Sequence, residues 1–417
     1  MDAFVRFMEE KFVPVASKIG AQRHLVAIRD SFMVTMPLLI LGGLATMINN
    51  LPVPGFQELM NSIFANESWK GVGDSVWEGT FAVLSVMIAY LVASNLAKDY
   101  GKDPVSTGIV SLASFFTVGG ATGMDTTGLF VAIIVAIIST EVFVRLIGND
   151  KLVIKMPEGV PPAVAKSFAA LLPAMIVITL FGLVSAIFAA FGIEDIIHSF
   201  YEAVQQPFMG MASTYWSALL IAFITPFLWF FGLHGANMID PFMQTINAPA
   251  IEANVNALAN GEVAPYIVNK PFIDSFVNLG GTGATLGLII AIYLVGRKHK
   301  AYKVVNNLSV APGIFNINEP MMFGLPIVLN PIMFIPFIVV PMVLVSVAYF
   351  STSLGLVPAA TFMPPWVTPP VIGGFLATQS FAGAILAAVN LILSVVIYVP
   401  FVKLGVDQAL KKAAEEE

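Results

Sequence analysis

W-F-F-G-L-H-G-A-N-M-I-D-P-F-M-Q, residues Trp229 to Gln244, follows an apolar run long enough to cross a bilayer. It then sets His234, Asn237, Asp240 and Gln244 among apolar residues, glycines and a proline. Polar groups at membrane depth are costly and persist where they line a protein-enclosed or water-filled cavity. Gly232, Gly235 and Pro241 argue against one continuous helix here. Broken backbone is tolerated in a membrane only where protein or a cavity covers it. The stretch therefore predicts both a membrane fold and a site within it.

The rest of the composition agrees. Of 417 residues, 57% are hydrophobic and 11% charged, against about 25% charged in a soluble domain. An all-α polytopic membrane protein is the class that fits. No basic patch with interleaved aromatics points to nucleic acid. There are no cysteines, which excludes disulfides, thiolate metal sites and cysteine nucleophiles. The four histidines, at 24, 198, 234 and 299, are too scattered for a metal cluster with helix spacing. No metal and no cofactor is expected. Charges interrupt the N-terminus at Arg6, Glu9, Glu10 and Lys11, so it reads as an amphipathic interfacial helix rather than a signal peptide.

Working outward, apolar runs near the roughly 20 residues that span a bilayer fall at 27–49, 77–97, 105–118, 128–147, 168–192, 211–231, 281–297, 326–350 and 381–402. Lys and Arg set the orientation. Arg6, Lys11, Lys18, Arg23 and Arg29 put the N-terminus in the cytoplasm, and Lys403, Lys411 and Lys412 place the C-terminus there too. Arg297, Lys298, Lys300 and Lys303 form the strongest basic cluster. Parity then requires residues 232–280 to make a net crossing, although they carry His234, Asp240, Glu252, Glu262, Lys270 and Asp274. A broken, partly hairpinned segment packed inside protein follows, with about ten crossings in all. Residues 193–210 read as an acidic amphipathic helix, and the prolines of 351–380 rule out a straight helix there. A division near residue 205 separates a scaffold half, 1–205, from a half, 206–417, that holds nearly all the irregular, polar-bearing segments.

A second polar island, S-V-A-P-G-I-F-N-I-N-E-P-M-M-F-G, runs from Ser309 to Gly324. It reads as a re-entrant hairpin with Glu319 at its tip. That carboxylate either works in a site or only pins the hairpin through neighbouring amides. His234 is likewise a ligand-facing group or a satisfied core histidine. Asn237 and Asp240 follow at three-residue steps, which makes each a surface neighbour of the last on a helix. A neutral imidazole offers one donor and one acceptor and, beside a carboxylate, can grip and polarise a hydroxyl. Asp240 reads equally as a cap or turn residue before Pro241. Trp366 either stacks on a sugar ring or anchors at the interface. Asn278 to Thr285, N-L-G-G-T-G-A-T, lacks the lysine of a phosphate loop and fits close packing through small residues. Glu141 and Arg145, four apart, read as a structural ion pair.

F-F-G-L-H-G at 230–235, N-I-N-E-P-M-M-F-G-L-P at 316–326 and P-P-W-V-T-P-P-V-I-G-G at 364–374 resemble the EIIC sugar-transport component of the bacterial phosphotransferase system. K-M-P-E-G-V-P-P-A-V-A-K-S-F-A-A-L-L-P at 155–173 looks like its lactose/cellobiose/diacetylchitobiose branch. The resemblance runs in order from about residue 4 to the C-terminus. It implies a bacterial cytoplasmic membrane protein with ten transmembrane helices, two re-entrant hairpins and a homodimer formed through the N-terminal half. It places substrate in the C-terminal half, which moves in an elevator-like shift. The family's histidine falls on His234 and its glutamate on Glu319, both near the C6 hydroxyl that becomes phosphorylated. Its tryptophan falls on Trp366, and Asn316 and Asn318 are weaker transfers.

The family's phosphoryl donor is a phosphocysteine on EIIB. With no cysteine here, a separate EIIB is expected to dock at the cytoplasmic face near Arg297 to Lys303. The resemblance thus implies a permease that takes up a β-linked disaccharide, diacetylchitobiose or cellobiose, and is the membrane part of a sugar phosphotransferase. Glu319 would accept or share the hydroxyl proton while His234 orients the hydroxyl. Such a permease need only position the acceptor, because phosphoryl transfer is mainly positioning and charge stabilisation. A proton- or Na⁺-coupled secondary transporter would show similar broken helices. A binding or regulatory membrane protein is the third class, and nothing in the sequence favours it.

Overall fold

The computed structural model describes residues 10–11, 13–49, 55–119, 121–149, 151–152, 154, 157, 159–325 and 327–416. The N-terminal amphipathic segment falls largely outside these residues, as do Lys155, Met156 and Glu158 of the 155–173 stretch. The described residues are helical, without strands. In chain order the helices are α1 (Val13–Gly20), α2 (Arg23–Asn49), α3 (Phe56–Ile63), α4 (Gly71–Glu78), α5 (Leu84–Asp99), α6 (Pro104–Gly119), α7 (Leu129–Ile147), α8 (Pro162–Ala190), α9 (Ile196–Phe200) and α10 (Gln206–Ala212). There follow α11 (Tyr215–Phe230), α12 (Gly235–Ala259), α13 (Lys270–Phe276), α14 (Thr285–Ala291), α15 (Lys300–Ile314), α16 (Glu319–Gly324), α17 (Pro331–Ser353), α18 (Pro370–Thr378) and α19 (Phe381–Glu416).

Among the described residues, 6 helices are long and apolar enough to cross a membrane, or 7 if a bent pair that includes α11 counts as one span. Shorter apolar helices lie at Pro104–Gly119 and Thr285–Gly296. This is an all-helical polytopic membrane protein. The apolar runs at 27–49, 128–147, 168–192, 326–350 and 381–402 appear as α2, α7, α8, α17 and α19, with α7 matching its run almost end to end and α19 continuing well past its own to Glu416. Helix starts carry the expected chemistry. Asp103 accepts the Ser106 N–H at 2.8 Å just before Pro104. Asn330 accepts from Ile332 and Met333 just before Pro331. A proline in the first turn loses nothing because its N–H would be unpaired anyway.

The chain divides into two compact units, one of Ala21–Thr46 with Ser68–Phe208, the other of Met1–Gly20, Met47–Glu67 and Met209–Glu417. The first unit is built on α5 to α8, around buried Phe115, Phe143, Val177 and Phe181, with Ile197 closing the cluster. One polar cluster sits in it. Glu141 accepts from His24 at 2.9 Å and from Tyr100, and pairs with Arg145 at 2.9 Å. The i,i+4 pair expected from the sequence is therefore one edge of a network that ties α2, α5 and α7.

The second unit packs α14 and α17 against α19, around Phe337, Leu344, Tyr398 and Val402, all fully buried. Its irregular segments need partners for their backbone polar groups, since lipid offers none. Asparagines supply them. Asn254 donates to the Tyr266 and Ala360 carbonyls at 2.7 and 3.0 Å and accepts the Tyr266 N–H at 2.9 Å. Asn269 also donates to Ala360. Asn390 donates to the carbonyls of Phe276 and Leu344. The proline-rich 354–369 stretch is non-helical, as its composition predicts.

Two expectations need correction. The break expected between Gly232 and Pro241 is confined to residues 231–234, and α12 runs unbroken through Pro241 and Pro249. Each proline removes one backbone bond, but tertiary packing overrides that local cost, and Ile246, Ala248 and Ile251 bury this helix. Asp240 is accordingly neither a cap nor a turn residue but lies inside α12. The small-residue stretch 278–285 does pack closely, yet as a loop rather than a helix face. Gly283 stands at φ +85° against the buried Phe337 ring, where any side chain would collide.

Candidate functional site

Both polar islands are built in the same way. α11 ends with the Gly232 N–H on the Trp229 carbonyl at 2.9 Å and the Leu233 N–H on the Leu228 carbonyl at 3.1 Å. Gly232 takes φ +79°, the left-handed residue such a helix stop requires. α12 then begins at once, capped by His234. The second island repeats the stop. The Asn316 N–H bonds the Gly313 carbonyl at 3.2 Å and the Ile317 N–H bonds the Pro312 carbonyl at 3.0 Å. Asn316 fills the left-handed position at φ +62°, and Glu319 opens α16 three residues later.

The cap fixes the state of the histidine. His234 Nδ1 accepts the Asn237 backbone N–H at 3.2 Å. In a neutral ring the proton then sits on Nε2. That nitrogen faces Glu319, with Nε2 3.9 Å from Oε1. The Trp229 ring, 3% exposed, packs on the imidazole at 4.5 Å and on Phe323 of α16 at 6.1 Å. The Leu329 N–H donates to the Phe230 carbonyl at 3.0 Å. These contacts bring the two stops together.

A separation of 3.9 Å is too long for a direct hydrogen bond. An oxygen placed off the line between the two atoms can lie about 2.8 Å from each. One hydroxyl would then accept from His234 Nε2–H and donate to the Glu319 carboxylate. The side chains are 40% and 47% exposed, so the pair is open to a ligand.

The other expected residues fall into different places. Asn237 contributes its backbone N–H, and its side chain is exposed. Trp366 is 46% exposed, on the non-helical stretch before α18. Asn316 is a clamp. Its amide donates to the Trp366 and Thr368 carbonyls at 2.7 and 2.9 Å and accepts the Gly280 N–H at 2.8 Å. Asn318, 5% exposed, donates to the Thr282 carbonyl at 2.9 Å. Asp240 sits 3.4 Å from Lys270. Two residues, Trp229 and Lys270, escaped sequence reasoning as site elements. Trp229 stands five positions before His234, outside the helix spacings. Lys270 is the first Lys or Arg after Lys166, and a lone cation in apolar surroundings signals a buried partner. Asp274 lies four residues after it.

No group of three or more His, Cys, Asp or Glu among the described residues could hold a metal ion. In the Gly-rich 278–285 loop the N–H groups of Gly280, Gly281 and Ala284 are already bonded within the protein.

An all-helical membrane protein with a histidine and a carboxylate converging from two broken segments is the architecture of a small-molecule permease. The family model "Phosphotransferase system, EIIC" matches residues 29–341, and the chain belongs to that family, in its lactose/cellobiose/chitobiose branch. The lichenan permease IIC component of Bacillus subtilis (strain 168) is 39% identical over 100% of this chain and 97% of its own length. The cellobiose-specific EIIC component of Geobacillus stearothermophilus is 37% identical, again over 100% and 97%. Among solved structures, the transporter ChbC, the IIC component of an N,N'-diacetylchitobiose-specific phosphotransferase system, superposes with a TM-score of 0.92 at 36% identity. That match covers 98% of this chain and 99% of ChbC.

Proposed function

We propose that this EIIC permease binds a β-linked disaccharide, diacetylchitobiose or cellobiose, and presents its C6 hydroxyl to phospho-EIIB between His234 and Glu319. The observation that carries this reading is the 3.9 Å separation of the imidazole and carboxylate, held on two helix stops of the same design. Glu319 takes the hydroxyl proton as the phosphoryl group arrives, and His234 aims the hydroxyl. Trp366 offers its exposed ring to the sugar. Asn316 and Asn318 shape the site through backbone carbonyls rather than touching sugar. About ten crossings, two re-entrant hairpins, a homodimer through the N-terminal half and cytoplasmic termini complete the picture. The names of the cellobiose and lichenan permeases and of ChbC support this substrate class.

Purified protein in proteoliposomes tests the reading. Uptake and phosphorylation should require phosphoenolpyruvate and EIIB, and a binding panel of diacetylchitobiose, cellobiose and lactose should rank the sugars. Uptake driven by a proton or Na⁺ gradient alone would overturn it.

EIIB is expected to dock on the basic cluster. Arg297, Lys298, Lys300 and Lys303 are exposed, with Arg297 stacked 4.2 Å over the Tyr293 ring. Charge reversal of Lys298, Lys300 and Lys303 together should raise the KM for phospho-EIIB on the order of tenfold at low ionic strength. The effect should shrink as salt is added. Unchanged kinetics at low salt would place the docking surface elsewhere.

A further inference from the structure

Lys270 opens α13 with its ammonium between two carboxylates, 3.4 Å from Asp240 on α12 and 3.0 Å from Asp274 on its own helix. The Lys270, Asp240 and Asp274 side chains are 16%, 17% and 23% exposed. The Gln244 amide lies 3.4 Å from Asp240. Lys270 is tied to α12 a second time, because its backbone N–H donates to Asn247 Oδ1 at 3.2 Å. One residue thus holds α12 at two places, through Asp240 and through Asn247.

Stability alone does not account for this triad. It carries one net negative charge in an apolar setting, and buried ion pairs are often no more stabilising than apolar residues of similar volume. What the arrangement does is fix the first turns of α12 against α13. His234 caps α12, and Asp240 lies less than two turns further along the same helix. We propose that Lys270 and Asp240 form a positioning strut that sets the direction of the His234 imidazole, and through it the sugar hydroxyl, without either residue touching the sugar.

The two carboxylates allow a matched comparison. Asp240→Asn and Asp274→Asn each remove one negative charge and each leave a neutral Lys–Asp pair. Only Asp240→Asn removes the ion pair between α12 and α13, leaving the Asn247 bond as their remaining tie. The strut predicts that Asp240→Asn lowers the turnover of sugar phosphorylation by about tenfold to a hundredfold, the scale of a small misplacement at a reacting centre. The KM for sugar should stay within about threefold, the sign of a group that acts after binding. Asp274→Asn should keep most of the turnover.

Equal losses in both variants would show that only charge matters and would overturn the strut. So would wild-type turnover in Asp240→Asn, or a raised KM at unchanged turnover, which marks a direct sugar contact. A failure of Asp240→Asn to yield folded protein also counts against it, because a neutral pair remains and only a fold-wide role for Asp240 would explain the loss. The strut rests on the proposed function, and the two fail differently. Unaltered protein that phospho-EIIB does not serve removes the function, whereas active unaltered protein with indistinguishable variants removes the strut alone.

Discussion

Glu319→Gln is expected to lower phosphorylation of bound sugar by about a hundredfold to ten-thousandfold, the range for losing a general base. Sugar affinity should change only a few-fold, because the amide keeps the size of the carboxylate and one acceptor oxygen. The contrast follows from the geometry. The hydroxyl that accepts from His234 Nε2 still finds an oxygen at position 319, but it finds no group that can take its proton. Single-turnover transfer from phospho-EIIB, run beside calorimetric sugar binding, separates the two effects. Wild-type transfer in Glu319→Gln would mean that the glutamate only pins its hairpin. The corresponding His234→Ala experiment is less clean, since it also uncaps α12 at a cost of about 1 kcal/mol.

Asn316→Asp should be the most destructive conservative change in the second island. The two side chains have the same shape, and both tolerate the left-handed backbone at φ +62°. The carboxylate keeps the bond from the Gly280 N–H. It cannot donate to the Trp366 and Thr368 carbonyls, which lie 2.7 and 2.9 Å from the amide nitrogen. The Thr368 bond is part-buried and the Trp366 bond exposed, where water can stand in for the donor, so their loss costs about 1–3 kcal/mol together, and the new oxygen repels both carbonyls. Against a total stability of about 5–15 kcal/mol that is a large share. Thermal unfolding in detergent should shift down strongly, and sugar binding should weaken with it as the Trp366 stretch separates from Glu319. An unshifted transition would show that the clamp carries little.

Most of the spans and the first helix stop were legible because they are local. Hydrophobic length reports a crossing, Gly232 reports a stop, and Glu141 with Arg145 report an i,i+4 pair, whereas the second stop falls at Asn316, past the Pro312 and Gly313 that α15 absorbs. Long-range partners were not legible. Nothing local says that Tyr100 and His24 complete the Glu141 cluster, or that the Asn316 and Asn318 amides close on carbonyls at Trp366, Thr368 and Thr282. The same limit hid Lys270, whose ion partner Asp240 is thirty positions away, as the difference of their numbers shows. Pro241 misled for the opposite reason. Its local cost is real, but the buried face of α12 outweighs it.

The cap at His234 has a kinetic meaning of its own. Because the Asn237 amide proton is held by the imidazole, rotating the ring and fraying the first turn of α12 are one event. A flipped histidine would expose that amide to solvent exchange. The Asn237 N–H is thus a spectroscopic witness to the reactive ring, and its exchange rate counts how often the site loses its aim.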